Sequence, residues 1–460
     1  MATTDSAVLQ ANAWCGTVSA TGGFAKADAW ALLGAIEPPA MLAGHSAPGV
    51  DRKDWRHEEV GWGVVLPDRA GLSFADLAAG VDAPEPIRRL LAQRPGSPVL
   101  RYRKDLQGGR VLRYDPVRGG VPLSARGNRG IGKDAVPRYL LIVGSPEQIP
   151  WRFQYRLQVD SFVGRLDLDD DALSRYVDAL IAGWKGLARD VERPLIWSVD
   201  HGYPDITFLM RAAIADKMHQ GFIKYQFKST LLTGGQDELK ALYEALHEQQ
   251  PAFVLTTSHG ATFPLNDTAQ LKQNLGLLVD RNHALLDPSA LLGQWSPNGA
   301  IWYAHACCSA GADSPSMFTQ MADGESSLGR MLDAVAQAGP CTAPLPRALL
   351  GAPSPIGAFI GHVEPTFDWT LLEPEHGQRT TNSLILEPLF NALHSEKRTP
   401  VGMALDGYYD AVAGLLLDHI DAIKDVKDRS DVERARRAKL LAMDRLAMVL
   451  LGDPTVCLPD

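Results

Sequence analysis

Apolar and polar positions divide this chain into two unequal stretches, and only the second keeps a regular rhythm. From Arg138 onward, short all-apolar runs alternate with segments of helical spacing. Tyr139-Leu-Leu-Ile-Val-Gly144 predicts a buried strand that turns at Ser-Pro-Glu-Gln. Between Asp169 and Trp184, Leu173, Tyr176, Val177, Leu180 and Ile181 fall on one face of a helix. Pro194-Leu-Ile-Trp-Ser-Val199 predicts the next strand, followed by helices at 206–219 and 236–249 with Tyr225-Gln-Phe between them. Phe253-Val-Leu-Thr-Thr-Ser-His259 and Ala300-Ile-Trp-Tyr-Ala-His-Ala306 are two further buried runs, separated by a long insertion at 264–298. A helix at 326–338 and a strand at Pro355–Ile360 come next. The last hundred residues read as helices at roughly 382–395, 400–424 and 430–450. Alternating strands and helices at this spacing predict parallel strand–helix–strand units in an open, doubly wound, mostly parallel α/β sheet with a helical C-terminal part.

The first 130 residues or so are rich in Gly, Ala, Pro and Arg and show only short signals. Val60–Leu66 resembles a strand, 84–93 a helix with Pro near its first turn, and the Gly/Arg-rich stretch 118–132 an exposed loop. A chain of 460 residues exceeds one compact core, so two to three domains or subdomains are expected. The boundaries fall at 1–134 (a divergent subdomain or a prodomain-like cap), 135–190 (the core of a first subdomain), 191–365 (a second, chemistry-bearing subdomain) and 366–460.

Composition narrows the function classes. With 45 basic against 54 acidic residues the net charge is −9, which offers no footprint for nucleic acid or an anionic membrane. No apolar run approaches the ~18 residues of a membrane span. The start, Met-Ala-Thr-Thr-Asp-Ser, lacks the basic and apolar regions of a secretion signal. Five cysteines, two of them adjacent (Cys307 and Cys308), argue against a disulfide framework and for a reducing, cytoplasmic setting. No zinc-ligand spacing is present.

The candidate chemistry lies at two strand ends about 48 residues apart. One apolar run ends in His259-Gly260, the other in Ala306-Cys307-Cys308. Ligands bind beyond the carboxyl ends of parallel strands, so a histidine and a thiol are expected at one edge of one sheet. The thiolate is the nucleophile, and a histidine within hydrogen-bond reach helps it ionise and later protonates the leaving amine. Gly260 has no side chain, so its N–H can approach an oxyanion, with the N–H of the cysteine as second donor. Adjacent strand residues face opposite sides, and Cys307, at the end of the run, is favoured over Cys308. His305 shares its face with Cys307 one pleat deeper and reads as structural. His201, in Asp200-His201-Gly202, is a second His-Gly at an earlier strand end.

These residues resemble the clan CD cysteine peptidases, the caspase-like group, and most of all the gingipain-type catalytic domain. Tyr139–Gly144 with Ile149-Pro150, Val159–Leu166, Asp169–Ile181, His259-Gly260, Ala306-Cys307 and Leu451-Gly452-Asp453-Pro454 follow one another as that family's motifs do, over about 135–460. The resemblance implies a caspase-like fold of two side-by-side subdomains, the second carrying a dyad of His259 as base and Cys307 as nucleophile. It also implies a P1-binding residue just after the strand at 194–199. Asp200 or Asp205 there, or Asp313 after the cysteines, would select Arg or Lys. The other reading of Asp200 and Asp205 is capping of the helix near 206. Arg165 is expected to anchor a strand end through a salt bridge, and Asp169 to Asp171 to form an acidic helix N-terminus.

The function expected is a cysteine endopeptidase working through an acyl-enzyme, with a protein or peptide substrate, no metal or other cofactor, and a regulatory partner or processing step. Residues 1–130 and the insertion 264–298 are candidate gates. The alternatives are a catalytically silent caspase-like scaffold that binds protein partners, and another thiol enzyme such as an acyltransferase.

Overall fold

A computed structural model describes residues 8–25, 28–33, 49–106, 109–235, 238–371, 383–424 and 426–460. In chain order the strands are β1 (Leu9–Trp14), β2 (Ser19–Gly22), β3 (Trp62–Pro67), β4 (Val99–Tyr102), β5 (Arg110–Asp115), β6 (Gly119–Ser124), β7 (Tyr139–Val143), β8 (Phe162–Leu166) and β9 (Leu195–Ser198). They continue with β10 (Thr230–Leu232), β11 (Phe253–Thr257), β12 (His259–Ala261), β13 (Leu278–Val279), β14 (Ile301–His305), β15 (Gly311–Ala312), β16 (Cys341–Thr342), β17 (Ala358–His362) and β18 (Met448–Gly452).

Among the described residues, twelve strands form one sheet in the order β10-β9-β11-β14-β17-β18-β8-β7-β3-β4-β5-β6. The fold is mixed α/β, with helices between the strands of a mostly parallel sheet. The pairs are parallel except β17–β18, β4–β5 and β5–β6. Because β18 runs antiparallel to β17 and parallel to β8, the two halves of the sheet point their carboxyl ends to opposite edges. Strands β7, β8, β9, β11 and β14 are buried along their whole length, as mostly apolar strands inside a parallel sheet are. No helix among the described residues is long and apolar enough to cross a membrane.

Several expectations are corrected. Part of the stretch read as a loop at 118–132 is β6, paired with β5 over six residues. The Asp115 carboxylate accepts the N–H groups of Val117 and Arg118 and closes that hairpin. The strand is glycine-rich and half-exposed at the sheet edge, so it lacks an apolar run. The helix read as 430–450 stops at Leu446, and Met448-Val-Leu-Leu continues as the fully buried strand β18 in the middle of the sheet. A short apolar run has no period that separates strand from helix. Between the helices around Tyr225-Gln-Phe, the strand is Thr230–Leu232. Residues 62–124 supply four strands of the main sheet, whereas β1 and β2 lie in a separate sheet of order β13-β12-β1-β2.

Arg165 is buried, and among the described residues it makes no salt bridge. It donates to Gln154 Oε1 (2.8 Å), the Gly144 carbonyl (3.0 Å) and the Ile149 carbonyl (2.7 Å), and its guanidinium lies 4.5 Å from the Trp151 ring. Asp169 caps the helix Asp170–Ala182 by accepting the Ala172 N–H at 3.0 Å.

The closing Gly452-Asp453-Pro454 ties the two ends of the structure together. Asp453 accepts from Trp62 Nε1 (3.0 Å), Arg94 Nη1 (3.2 Å) and the Thr455 N–H (2.9 Å), and the Arg94–Asp453 pair is buried on both sides. Removing one partner of a buried pair leaves the other charge uncompensated. Asp453→Ala is therefore expected to cost about 3–5 kcal/mol, read as a lower urea midpoint at unchanged m-value.

Candidate active site

The His259 strand does not arrive as first drawn. β11 ends at Thr257, and Ser258 is the last residue to reach the main sheet, its N–H 3.4 Å from the His305 carbonyl. The chain then steps out, and His259-Gly260-Ala261 becomes β12 of the small sheet, between β13 from the insertion and the N-terminal strand β1. The glycine makes this step possible. A Cβ on Gly260 would lie 1.9 Å from the Cys307 carbonyl oxygen and 2.9 Å from the Cys307 nitrogen. The peptides of the two strand ends are thus in direct contact.

The cysteines sit in a turn, since β14 ends at His305. Alternation across a strand therefore does not reach them. Cys308 is left-handed at φ 56°, a conformation that costs a non-glycine residue about 1–2 kcal/mol. Its N–H donates to the Glu364 carbonyl at 3.0 Å, and the Gly311 N–H returns to its own carbonyl at 3.0 Å. Insertion residue Gly276 packs on the same turn; a Cβ there would lie 2.1 Å from the Cys308 carbonyl oxygen. Cys307 points its thiol into the segment after β17. The Thr366 N–H donates to Sγ at 3.1 Å, and the thiol lies 3.5 Å from the Thr366 carbonyl. Burial pushes both thiols far above their ordinary value, and for Cys307 the Thr366 N–H offsets this only in part.

His259 is buried and held from one side. Its Nε2 lies 3.0 Å from Asp205 Oδ2 and 3.2 Å from Ser19 Oγ, and Ser19 donates to the same carboxylate oxygen at 2.8 Å. An N–H on Nε2 satisfies this arrangement and leaves Nδ1 as the free lone pair. Nδ1 has no partner. Burial pushes the Asp205 carboxyl up, but the hydrogen bond and charge of His259 and the Thr207 donors outweigh it and hold the group below the usual carboxylate range. His259 and Cys307 do not hydrogen-bond to each other in this state.

Two N–H groups converge on one oxygen beside the thiol. The Cys307 N–H donates to the Asn12 carbonyl at 3.2 Å. β1 runs parallel to β12 with Ala13 opposite Gly260 and Trp14 opposite Ala261, and the Thr262 N–H reaches the Trp14 carbonyl at 3.0 Å. Two residues earlier on both strands, this ladder aims the Gly260 N–H at the same Asn12 carbonyl.

The three carboxylates expected to bind a basic side chain have different surroundings. Asp200 accepts the Gly202 N–H and pairs with Arg211 at 3.1 Å. Asp205 caps the helix Ile206–Met210 through Oδ1 and holds His259 through Oδ2. Asp313 is buried; one oxygen accepts the Ser314 N–H at 2.9 Å and the other has no partner. His201 lies beside His259, its ring centroid 5.4 Å away, and stacks on His283 at 4.9 Å and 8°. His305 is tied to Tyr303 Oη at 2.8 Å. Sequence reasoning missed Asn12, Trp14, Ser19, His283 and Thr366, which carry no local motif.

Beneath the thiol, Asp444 Oδ2 accepts from Thr366 Oγ1 (3.1 Å) and the Phe367 N–H (2.9 Å) and fixes the backbone that touches Cys307. Burial pushes its carboxyl up to about 7 against those donors. Its neutral form is favoured in the folded chain, so its contribution is full below about pH 4 and is lost as pH rises through about 7. Glu364, pushed up to about 8 by burial, acts in the same direction. The buried histidines, held below their ordinary value by burial, act the other way, so the expected result is the difference between variants: from pH 5 to pH 8 Asp444→Asn loses less unfolding free energy than the parent, or gains more, by on the order of 2 kcal/mol. Urea titrations at the two pH values check this.

No protein-family model matches the chain, and no curated protein matches it. Among solved structures it is similar to the Arg-specific cysteine proteinase gingipain R (RgpB), at 15% identity and a TM-score of 0.41 over 87% of this chain and 79% of that one. It is also similar to the complex of Porphyromonas gingivalis RgpB pro- and mature domains (14%, TM-score 0.38, 70% and 65% of the chains). The Saccharomyces cerevisiae separase–securin complex is a third (14%, TM-score 0.32, 68% of this chain and 15% of that one). These likenesses say nothing of this chain's activity.

Proposed function

We propose that the chain is a cysteine endopeptidase with Cys307 as nucleophile, His259 as base and Asp205 as the group that positions His259. The observation that carries this reading is the pair of N–H groups, from Gly260 and Cys307, directed at one carbonyl oxygen next to a thiol. Donors arranged in this way stabilise the oxyanion of acyl transfer. The thiol proton passes to His259 Nδ1 while Sγ bonds to the substrate carbonyl carbon. Collapse breaks the C–N bond, the amine leaves with that proton, and water hydrolyses the thioester. Asp205 orients the ring through Nε2 and stabilises the imidazolium.

Preference for a basic P1 residue rests on Asp313, whose second oxygen is unpartnered; Asp200 and Asp205 already hold Arg211 and His259. A second reading, a catalytically silent scaffold for protein partners, is favoured by the closed state of the site, in which the thiol is bonded to Thr366 and the oxyanion position is filled. Fluorogenic peptides with Arg, Lys or Asp at P1, together with a thiol-reactive peptide probe, separate the two. Turnover with Arg or Lys favoured at least about ten-fold supports the peptidase and its pocket. An Asp preference removes the pocket, and no turnover with no labelling, measured after the exposed hairpin tip between β1 and β2 has been cut, leaves the scaffold.

A further inference from the structure

Resting on the peptidase reading, the geometry points to a further device: we propose that β1 is an inhibitor carried within the chain, seated as a substrate backbone would be, with the Asn12 carbonyl in the oxyanion position. Both edges of the strand are held. On one side the Cys307 N–H meets the Asn12 carbonyl (3.2 Å), and β12 pairs in parallel with Ala13 and Trp14. On the same side the Asn12 N–H donates to the Thr366 carbonyl (2.8 Å) and Ala11 bridges Phe367, while the other edge pairs with β2. This is strand addition, the mode by which extended peptides are recognised through their backbone. The Asn12 side chain is buried with its Nδ2 on the His305 carbonyl at 3.0 Å.

The same hairpin covers the base. The Trp14 ring lies 6.4 Å from His259 and stacks on His283 at 3.8 Å and 13°. Ser19 of β2 occupies His259 Nε2 and Asp205. With the hairpin in place, His259 and Cys307 are both 0% exposed, and no peptide carbonyl can reach the thiol.

The hold is built to be released. Apart from Leu9, the fully buried hydrophobic residues of the hairpin are Ala11, Ala13 and Ala20, which bury little apolar area compared with branched side chains. Asn12 Oδ1 has no hydrogen-bond partner, so the seat fits this residue imperfectly. The hairpin tip, Gly16 to Val18, is exposed and open to a protease or a binding partner.

The test uses the full chain with a site-specific protease sequence replacing Gly16–Val18. Cys307 alkylation by iodoacetamide is followed by peptide mapping before and after the cut and after gel filtration, alongside turnover of the P1 panel. Alkylation is expected to accelerate at least about ten-fold on cutting and to slow again when a synthetic peptide of residues 8–15 is added. An uncut Asn12→Pro chain, which lacks the N–H to Thr366, is expected to behave as the cut chain does. Cys307 alkylation unchanged in both overturns the inhibitor strand, even where peptides are hydrolysed. Alkylation that accelerates with no peptide turned over upholds the inhibitor strand and removes the peptidase reading.

Discussion

Cys307→Ala is expected to abolish peptide hydrolysis, a loss of about 10⁴-fold or more in kcat, while Cys308→Ala stays within about ten-fold of the parent. Measured in the chain with its hairpin cut, the difference follows from where each residue's groups are placed. In the proposed mechanism the Cys307 N–H is one of two oxyanion donors, and its thiol lies against the Thr366 backbone beside the Asn12 peptide. Removing Sγ deletes the proposed nucleophile and leaves both N–H groups in place. Cys308 is committed elsewhere: its N–H is on Glu364, and its left-handed conformation turns the chain away. Alanine keeps that conformation, so Cys308→Ala controls for packing without relieving the turn. Circular dichroism on both variants separates lost chemistry from lost structure. Hydrolysis that survives Cys307→Ala sinks the assignment of the nucleophile.

Gly260→Ala is expected to damage stability and turnover together. The added methyl would meet the carbonyl oxygen, carbon and nitrogen of Cys307 at 1.9, 2.8 and 2.9 Å. All three are backbone atoms, so no side-chain rotation relieves the clash. Overpacking of this kind costs about 1–3 kcal/mol, and a backbone collision falls at or above the upper end. The strands must separate, which moves the Gly260 N–H away from the Cys307 N–H. Loss of one oxyanion donor lowers kcat by about 10²–10³-fold. Denaturant midpoints and steady-state kinetics on the cut chain read the two effects. A variant that keeps both its midpoint and its kcat would refute the two-donor hole.

The elements that could be read from the sequence are those whose signal is local. β7, β9, β11 and β14 are apolar runs because both faces of a mostly parallel sheet are covered, and the glycine after His259 marks a close backbone approach. β6 hides in Gly and Arg at a half-exposed edge, and β18 hides at the end of a helix. Asp205 was half legible. An Asp before a helix reads as a cap, and Oδ1 is one, but the work of Oδ2 on His259 depends on a residue 54 positions away. Asn12 carries no motif, because its role arises only when β1 crosses to residues such as His305, 293 positions along the chain. Trp14 and Ser19 are illegible for the same reason: nothing near them in sequence marks the histidine they cover.

β18 also orders events in time. It lies between β17 and β8, so the two halves of the sheet share no strand pair until Met448–Gly452 takes its place. During synthesis these residues leave the ribosome only after Asn12, His259 and Cys307 have emerged. Each half has its own parallel strands and can collapse early, but the seam between them must wait for Met448–Gly452. A nascent chain stalled before Met448 would therefore hold two unjoined half-sheets with the β17 and β8 edges open to other strands, the kind of species that chaperones exist to shield.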